Sequence, residues 1–184
     1  MKKRIVYTRH DGGVSLACPT PWIFGELSRG GWAHQPAGFV DEQIDRQIKD
    51  GIHPDHAARY ARAMVLGGVP EWEVWSIIKD RDCARKGTLH ELQSLDDLPP
   101  DRWFRDAWRR SSNGGPPSVD LEKAKPIQWQ RIVDAVSREN KRRELDLFGP
   151  APIRIRKTEY QTAIKHARDD EELRRIWVPS LPQL

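Results

Sequence analysis

Two periodicities alternate along this chain. Ile5-Val6-Tyr7-Thr8 and Val14-Ser15-Leu16-Ala17-Cys18 are β-type runs flanking Arg9-His10-Asp11-Gly12-Gly13, and Asp-Gly between such runs predicts a hairpin. Pro19-Thr20-Pro21 closes it, and residues 25–38, with Gly30-Gly31-Trp32 and His34-Gln35-Pro36, read as irregular. From there the apolar spacing becomes helical. Phe39, Val40, Ile44 and Ile48 recur among charged residues up to Gly51, predicting a surface helix with one buried stripe. A second helix is expected from Pro54 through Tyr60, Ala61, Met64 and Val65 to Gly67-Gly68. A third starts at Pro70, with Val74, Trp75, Ile77 and Ile78 inward and Trp72 near its edge. The run 88–93 then reads as a strand able to pair with the opening hairpin.

The stretch that organises the remainder is Leu98-Pro99-Pro100-Asp101-Arg102-Trp103-Phe104-Arg105-Asp106-Ala107-Trp108. It predicts a short helix capped by Asp101, with Trp103, Phe104, Ala107 and Trp108 on a core face and Arg102, Arg105 and Arg109 in a row opposite. Asn113-Gly114-Gly115-Pro116-Pro117 reads as a loop. A long helix follows, capped by Ser118 or Asp120, with Leu121, Ala124, Gln128, Trp129, Ile132, Ala135 and Val136 as its stripe. Pro126 means that the helix either begins there or carries a kink. Thr158 with Gln161 and Asp169 with Glu172 are capping-box patterns for two short terminal helices. The expected fold class is therefore α+β, mostly helical, with a small antiparallel sheet. The expected organisation is a core domain over 1–147 with a helical insert at about 39–68, a linker at 148–157 and a helical pair at 158–184.

Composition sharpens this picture in three places. At 184 residues with 38% hydrophobic and 32% charged residues, the chain can bury one sizeable core but has little apolar surplus. Eight tryptophans must therefore supply much of the buried area or form an interface. No apolar run approaches the roughly 20 residues of a membrane span, and the basic start leads into a strand and not into a signal peptide. The expected location is the cytoplasm or a particle assembled there. Cys18 and Cys83 stand alone, without CxxC spacing, and read as free buried thiols. The net charge of +4 is uneven: residues 101–184 hold 18 Lys/Arg against 13 Asp/Glu, and residues 1–100 hold 13 against 14.

Several strings resemble a group of small bacteriophage and prophage proteins, especially those carried in alphaproteobacterial genomes. They are the hairpin Ile5–Ser15, Asp80-Arg81-Asp82-Cys83, the 97–108 stretch, the Val119–Lys125 helix start and Asp170–Trp177. The resemblance spans most of the chain outside residues 20–38 and 148–157. It departs from the shorter relatives at the helical insert and at Pro126. It implies a phage-derived accessory protein and brings no catalytic residues and no cofactor.

Candidate chemistry is sparse. His53 and His56 are three apart across a proline, where a zinc helix usually wants four and a third ligand, so helix capping is the simpler reading. Asp80 and Asp82 keep a metal-dependent nuclease open, although a helix end explains them as well. There is no GxSxG and no phosphate-loop pattern. Two binding readings remain. One is a protein interface through tryptophans outside the clear stripes, Trp22, Trp32 and Trp129, with a virion component, a host defence or transcription protein, or a second copy as partner. This is the leading reading. The alternative is nucleic-acid binding through Arg102, Arg105, Arg109, Arg138, Lys141, Arg142, Arg143, Arg154, Arg156 and Lys157, provided that they converge.

Overall fold

The computed structural model describes residues 2–100, 102–146 and 150–181. It is an α+β fold, mostly helical, with a three-stranded antiparallel sheet and a separate two-stranded one. The chain forms two compact units: Met1–Leu98 with Arg110–Pro117, and Pro99–Arg109 with Ser118–Leu184.

The first unit opens with the expected hairpin, β1 (Lys3–Arg9) and β2 (Val14–Ala17). Asp11 fastens its turn by accepting from the Gly13 N–H at 2.8 Å while Gly12 takes a φ of 77°. The run 88–93 is indeed a strand, β3 (Gly87–Ser94), antiparallel to the other edge of β1, so the order is β2-β1-β3. Gly87 is required there, because a Cβ would lie 2.0 Å from the Thr8 carbonyl oxygen. The register slips between Val6 and Thr8, where Leu89 and His90 stand against Tyr7 alone. Leu89 takes a φ of +52° to make this bulge.

Four helices follow in this unit: α1 (Pro21–Arg29), α2 (Phe39–Lys49), α3 (Pro54–Leu66) and α4 (Glu71–Ile78), the last running into a π-helical turn, Lys79–Cys83; α1, α3 and α4 share a core with the sheet, and α2 packs on α3. The helix α1 corrects the irregular reading of the region from Gly25. Pro21 sits in its first turn, Ile23, Phe24 and Leu27 pack inward, and Gly30 ends it at a φ of 75°. Their burial outweighs the roughly 1 kcal/mol that Gly25 costs inside a helix. The helix α2 buries no residue fully; its Phe39 meets Trp32 edge to face at 5.4 Å. The core gathers Ile5, Leu27, Met64, Val74, Ile77 and Ile78.

The organising stretch keeps its core role and loses its helix. Phe104, Ala107 and Trp108 are buried, but only Arg105–Ala107 forms a single 3-10 turn, and Trp108 enters a strand. The bulky aromatics suit extended backbone as well, and Trp108 is taken up by the strand that pairs with Gly114–Val119. The expected Asp101 cap lies outside the described residues. The expected loop at 113–117 is likewise corrected: β4 (Trp108–Ser111) pairs with β5 (Gly114–Val119), and Gly114 and Gly115 supply φ values of 88° and 87°. The tip of this hairpin belongs to the first unit. There Arg110, its side chain wholly buried, fills the bulge: it donates to the Leu89, Val6 and Gly115 carbonyls and pairs with Glu91 at 2.6 Å.

The second unit is built on α5 (Leu121–Glu144), whose buried Ala124, Gln128, Ile132 and Ala135 follow the expected stripe. Asp120, not Ser118, caps it, and Pro126 lies inside it as the sixth residue. Two short helices follow, α6 (Lys157–His166) and α7 (Asp170–Arg175). Asp169 caps α7 as read, whereas Thr158 caps nothing, because α6 starts at Lys157 with Arg156 before it. Ile164, Leu173, Trp177 and Val178 close this core with Phe104 and Ile132. Among the described residues no helix is long and apolar enough to cross a membrane.

Candidate functional site

In the first unit a cavity of about 670 Å³ lies where the start of α3 faces the π-helical turn. It brings together the two histidines and Asp80, which sequence spacing alone could not place. Their chemistry there is structural. His53 accepts from the Asp55 N–H at 3.3 Å through Nδ1 and so caps α3. Asp80 is held by Arg59 at 2.8 Å, and Asp82 by Arg81 at 2.7 Å. The Arg81 guanidinium lies 3.9 Å from the centre of the Tyr60 ring. Among the described residues no three His, Cys, Asp or Glu side chains are grouped to hold a metal ion. Cys83 is fully buried, and burial pushes its thiol up to about 11, which leaves it a poor nucleophile. Cys18 is exposed, against the expectation that both thiols are buried.

The sequence pattern does not single out a second feature of this unit. Trp72 is 70% exposed at a groove of about 220 Å³ between α4, with Trp75, the π-helical turn, with Lys79, and β3, with His90, Glu91 and Leu92. Leu92 is also exposed. The signal is present in the spacing: Ser76, at i+4 from Trp72, marks a polar side of α4, and Lys79 continues it into the turn that follows. Burial alone would raise the Glu91 carboxyl, but the Gly115 N–H, Gln93 and Arg110 outweigh it and hold the group below the usual carboxylate range. The groove thus sets an ionised Glu91, paired with Arg110, beside an exposed indole.

The three suspected tryptophans separate. Trp22, on α1, is 61% exposed. Trp32 is half-buried and packs edge to face on Tyr60 at 5.6 Å. Trp129 is half-buried along the second core, with the Lys157 ammonium 6.0 Å above its ring.

All ten basic candidates fall in the second unit. That unit holds 17 Lys/Arg against 13 Asp/Glu, whereas the first holds 14 of each, so the whole net charge of +4 resides in the second. The expected row of Arg102, Arg105 and Arg109 does not exist without its helix; Arg109 lies in β4 and donates to the Asp106 and Trp108 carbonyls. Of the other seven, Arg154, Arg156 and Lys157 lie in or just after a segment that is tied to α5, the helix that carries Arg138, Lys141, Arg142 and Arg143. Asn140 of α5 accepts from the Ile153 N–H at 2.6 Å and donates to the Ile153 carbonyl at 3.0 Å, which lays the segment before α6 along α5. Arg142 and Arg143 share Glu139, at 2.8 and 2.9 Å, and these bonds hold its carboxyl at about 2. Arg156 pairs with Glu159 at 3.0 Å. Arg154 and Lys141 are exposed with no ionic partner among the described residues, and Arg138 donates only to the Asp134 carbonyl.

Compared with protein-family models, with curated proteins and with solved structures, the chain matches none.

Proposed function

We propose that this chain is a non-catalytic accessory protein, of phage or prophage descent, that binds a protein partner through its first unit. The exposed Trp72 beside the α4/β3 groove carries this reading. A large amphipathic ring standing in water beside a shallow apolar groove is the arrangement that concentrates binding energy when a partner covers it. Leu92 extends the apolar contact at the same groove. Trp22 offers a second exposed indole on the same unit. The partner class is a virion component or a host protein.

The test is capture of partners from a host lysate by the tagged full chain, with and without nuclease. A protein partner that survives nuclease and is recovered at least tenfold less by Trp72→Ala is expected; near-ultraviolet circular dichroism would verify that the variant is folded. Undiminished capture by folded Trp72→Ala, or recovery of nucleic acid alone, overturns the reading.

A further inference from the structure

We infer that the segment 153–157 and the C-terminal half of α5 form a second binding surface, one that takes the phosphodiester backbone of a nucleic acid. The argument begins with the way in which this segment is held. It has no strand partner, and the Asn140 side-chain amide substitutes for one by bonding both main-chain groups of Ile153. Arg143 fixes the start of the segment by donating to the Ala151 carbonyl at 2.6 Å. Ile153 and Ile155 turn inward onto the second core, so the alternation of an extended chain turns Arg154 and Arg156 outward. Two guanidinium stems thus leave a fixed ribbon about 6.6 Å apart, and Lys157 follows over the Trp129 ring.

Charge selects the ligand. The carboxylates interleaved here are largely occupied: Glu139 by Arg142 and Arg143, Glu159 by Arg156, and Asp134 by the Gln130 amide at 2.8 Å. Arg154, Lys157, Lys141 and Arg138 are exposed and have no carboxylate partner among the described residues, against one unpartnered carboxylate, Glu144. The result is a run of outward-facing cations, Arg154, Arg156 and Lys157, on a segment tied to a helix that is itself basic at its end; this ordering lowers the entropy that binding must offset. It contacts phosphates and presents no group aimed at base edges, so affinity is independent of sequence and steep in salt.

Fluorescence anisotropy tests this with the full chain, using a labelled single strand of about 20 nucleotides, a duplex of the same length and polyglutamate as probes. One or both nucleic acids are expected to bind, with affinity falling steeply between about 50 and 200 mM salt. Arg154→Glu with Lys157→Glu should weaken binding at least tenfold and flatten the salt slope by about two. Arg46→Glu with Lys49→Glu on α2, an equal change of charge in the first unit, should leave it within about twofold, as should Trp72→Ala. The single-strand and duplex arms identify which form is preferred. No salt-dependent binding of either form overturns the inference, as does equal loss in the α2 variant or polyglutamate binding as tight as the nucleic acids.

Discussion

Gln128 shows how much one polar side chain can organise. Fully buried on α5, it accepts from the Trp103 indole N–H at 2.7 Å and donates to the Ile176 carbonyl at 2.7 Å. One amide thereby ties the aromatic stretch, the long helix and the segment after α7. Gln128→Leu would keep the volume and remove both bonds, leaving buried groups unsatisfied, at about 1–3 kcal/mol each. We expect a loss of about 2–4 kcal/mol in denaturant-induced unfolding, with the midpoint shifted and the slope unchanged. Apolar spacing placed Gln128 in the stripe correctly. It could not reveal the role, because the partners lie 25 and 48 residues away. Arg110 is the same case: nothing local marks a charge that is to be buried in a bulge formed by residues 89 and 90.

Elements whose apolar period is long enough to stand alone are legible in the sequence. The three helices α2, α3 and α4, the strand β3 and the stripe of α5 all fell where period and stop residues put them. The misreadings share a physical cause, namely glycine and proline taken as breakers where tertiary contact overrides them. Gly25 sits inside α1, and Gly114 through Pro117 lie in a strand. The sequence before Trp108 has a helical period too short to nucleate on its own. The tryptophan reading divided for another reason: Trp32 and Trp129 lie at core edges that only tertiary packing defines. Within α5, Pro126 cannot donate to the Glu122 carbonyl and crowds that turn. Pro126→Ala would restore the bond, since residue 126 is exposed and displaces nothing. We expect it to stabilise the chain by about 1–3 kcal/mol, read as a raised midpoint in thermal unfolding followed by far-ultraviolet circular dichroism.

At the scale of the molecule, three carboxylates are held below the ordinary value of 4.5: Glu91, Glu139 and Glu172. Hydrogen bonds cause it, from Gly115, Gln93 and Arg110 for Glu91, from Arg142 and Arg143 for Glu139, and from Arg168 for Glu172. A carboxyl with a depressed folded value binds fewer protons folded than unfolded, so its contribution is present above the unfolded value of 4.5 and is lost as pH falls through the folded value, which is about 2 for Glu139. Unfolding free energy should therefore hold level from about pH 8 to 5 and decline steadily below. An increase in stability on acidification below 4.5 would contradict the placement of these three pairs. The division into units has one further consequence, which lies in the covalent thread itself. The chain crosses from one unit to the other at 98/99, returns at 109/110 and crosses again at 117/118. No single stretch of gene encodes the second unit, so exchanging it between relatives by one recombination event is impossible. A protease that nicks any one of these crossings leaves the two halves joined by the others.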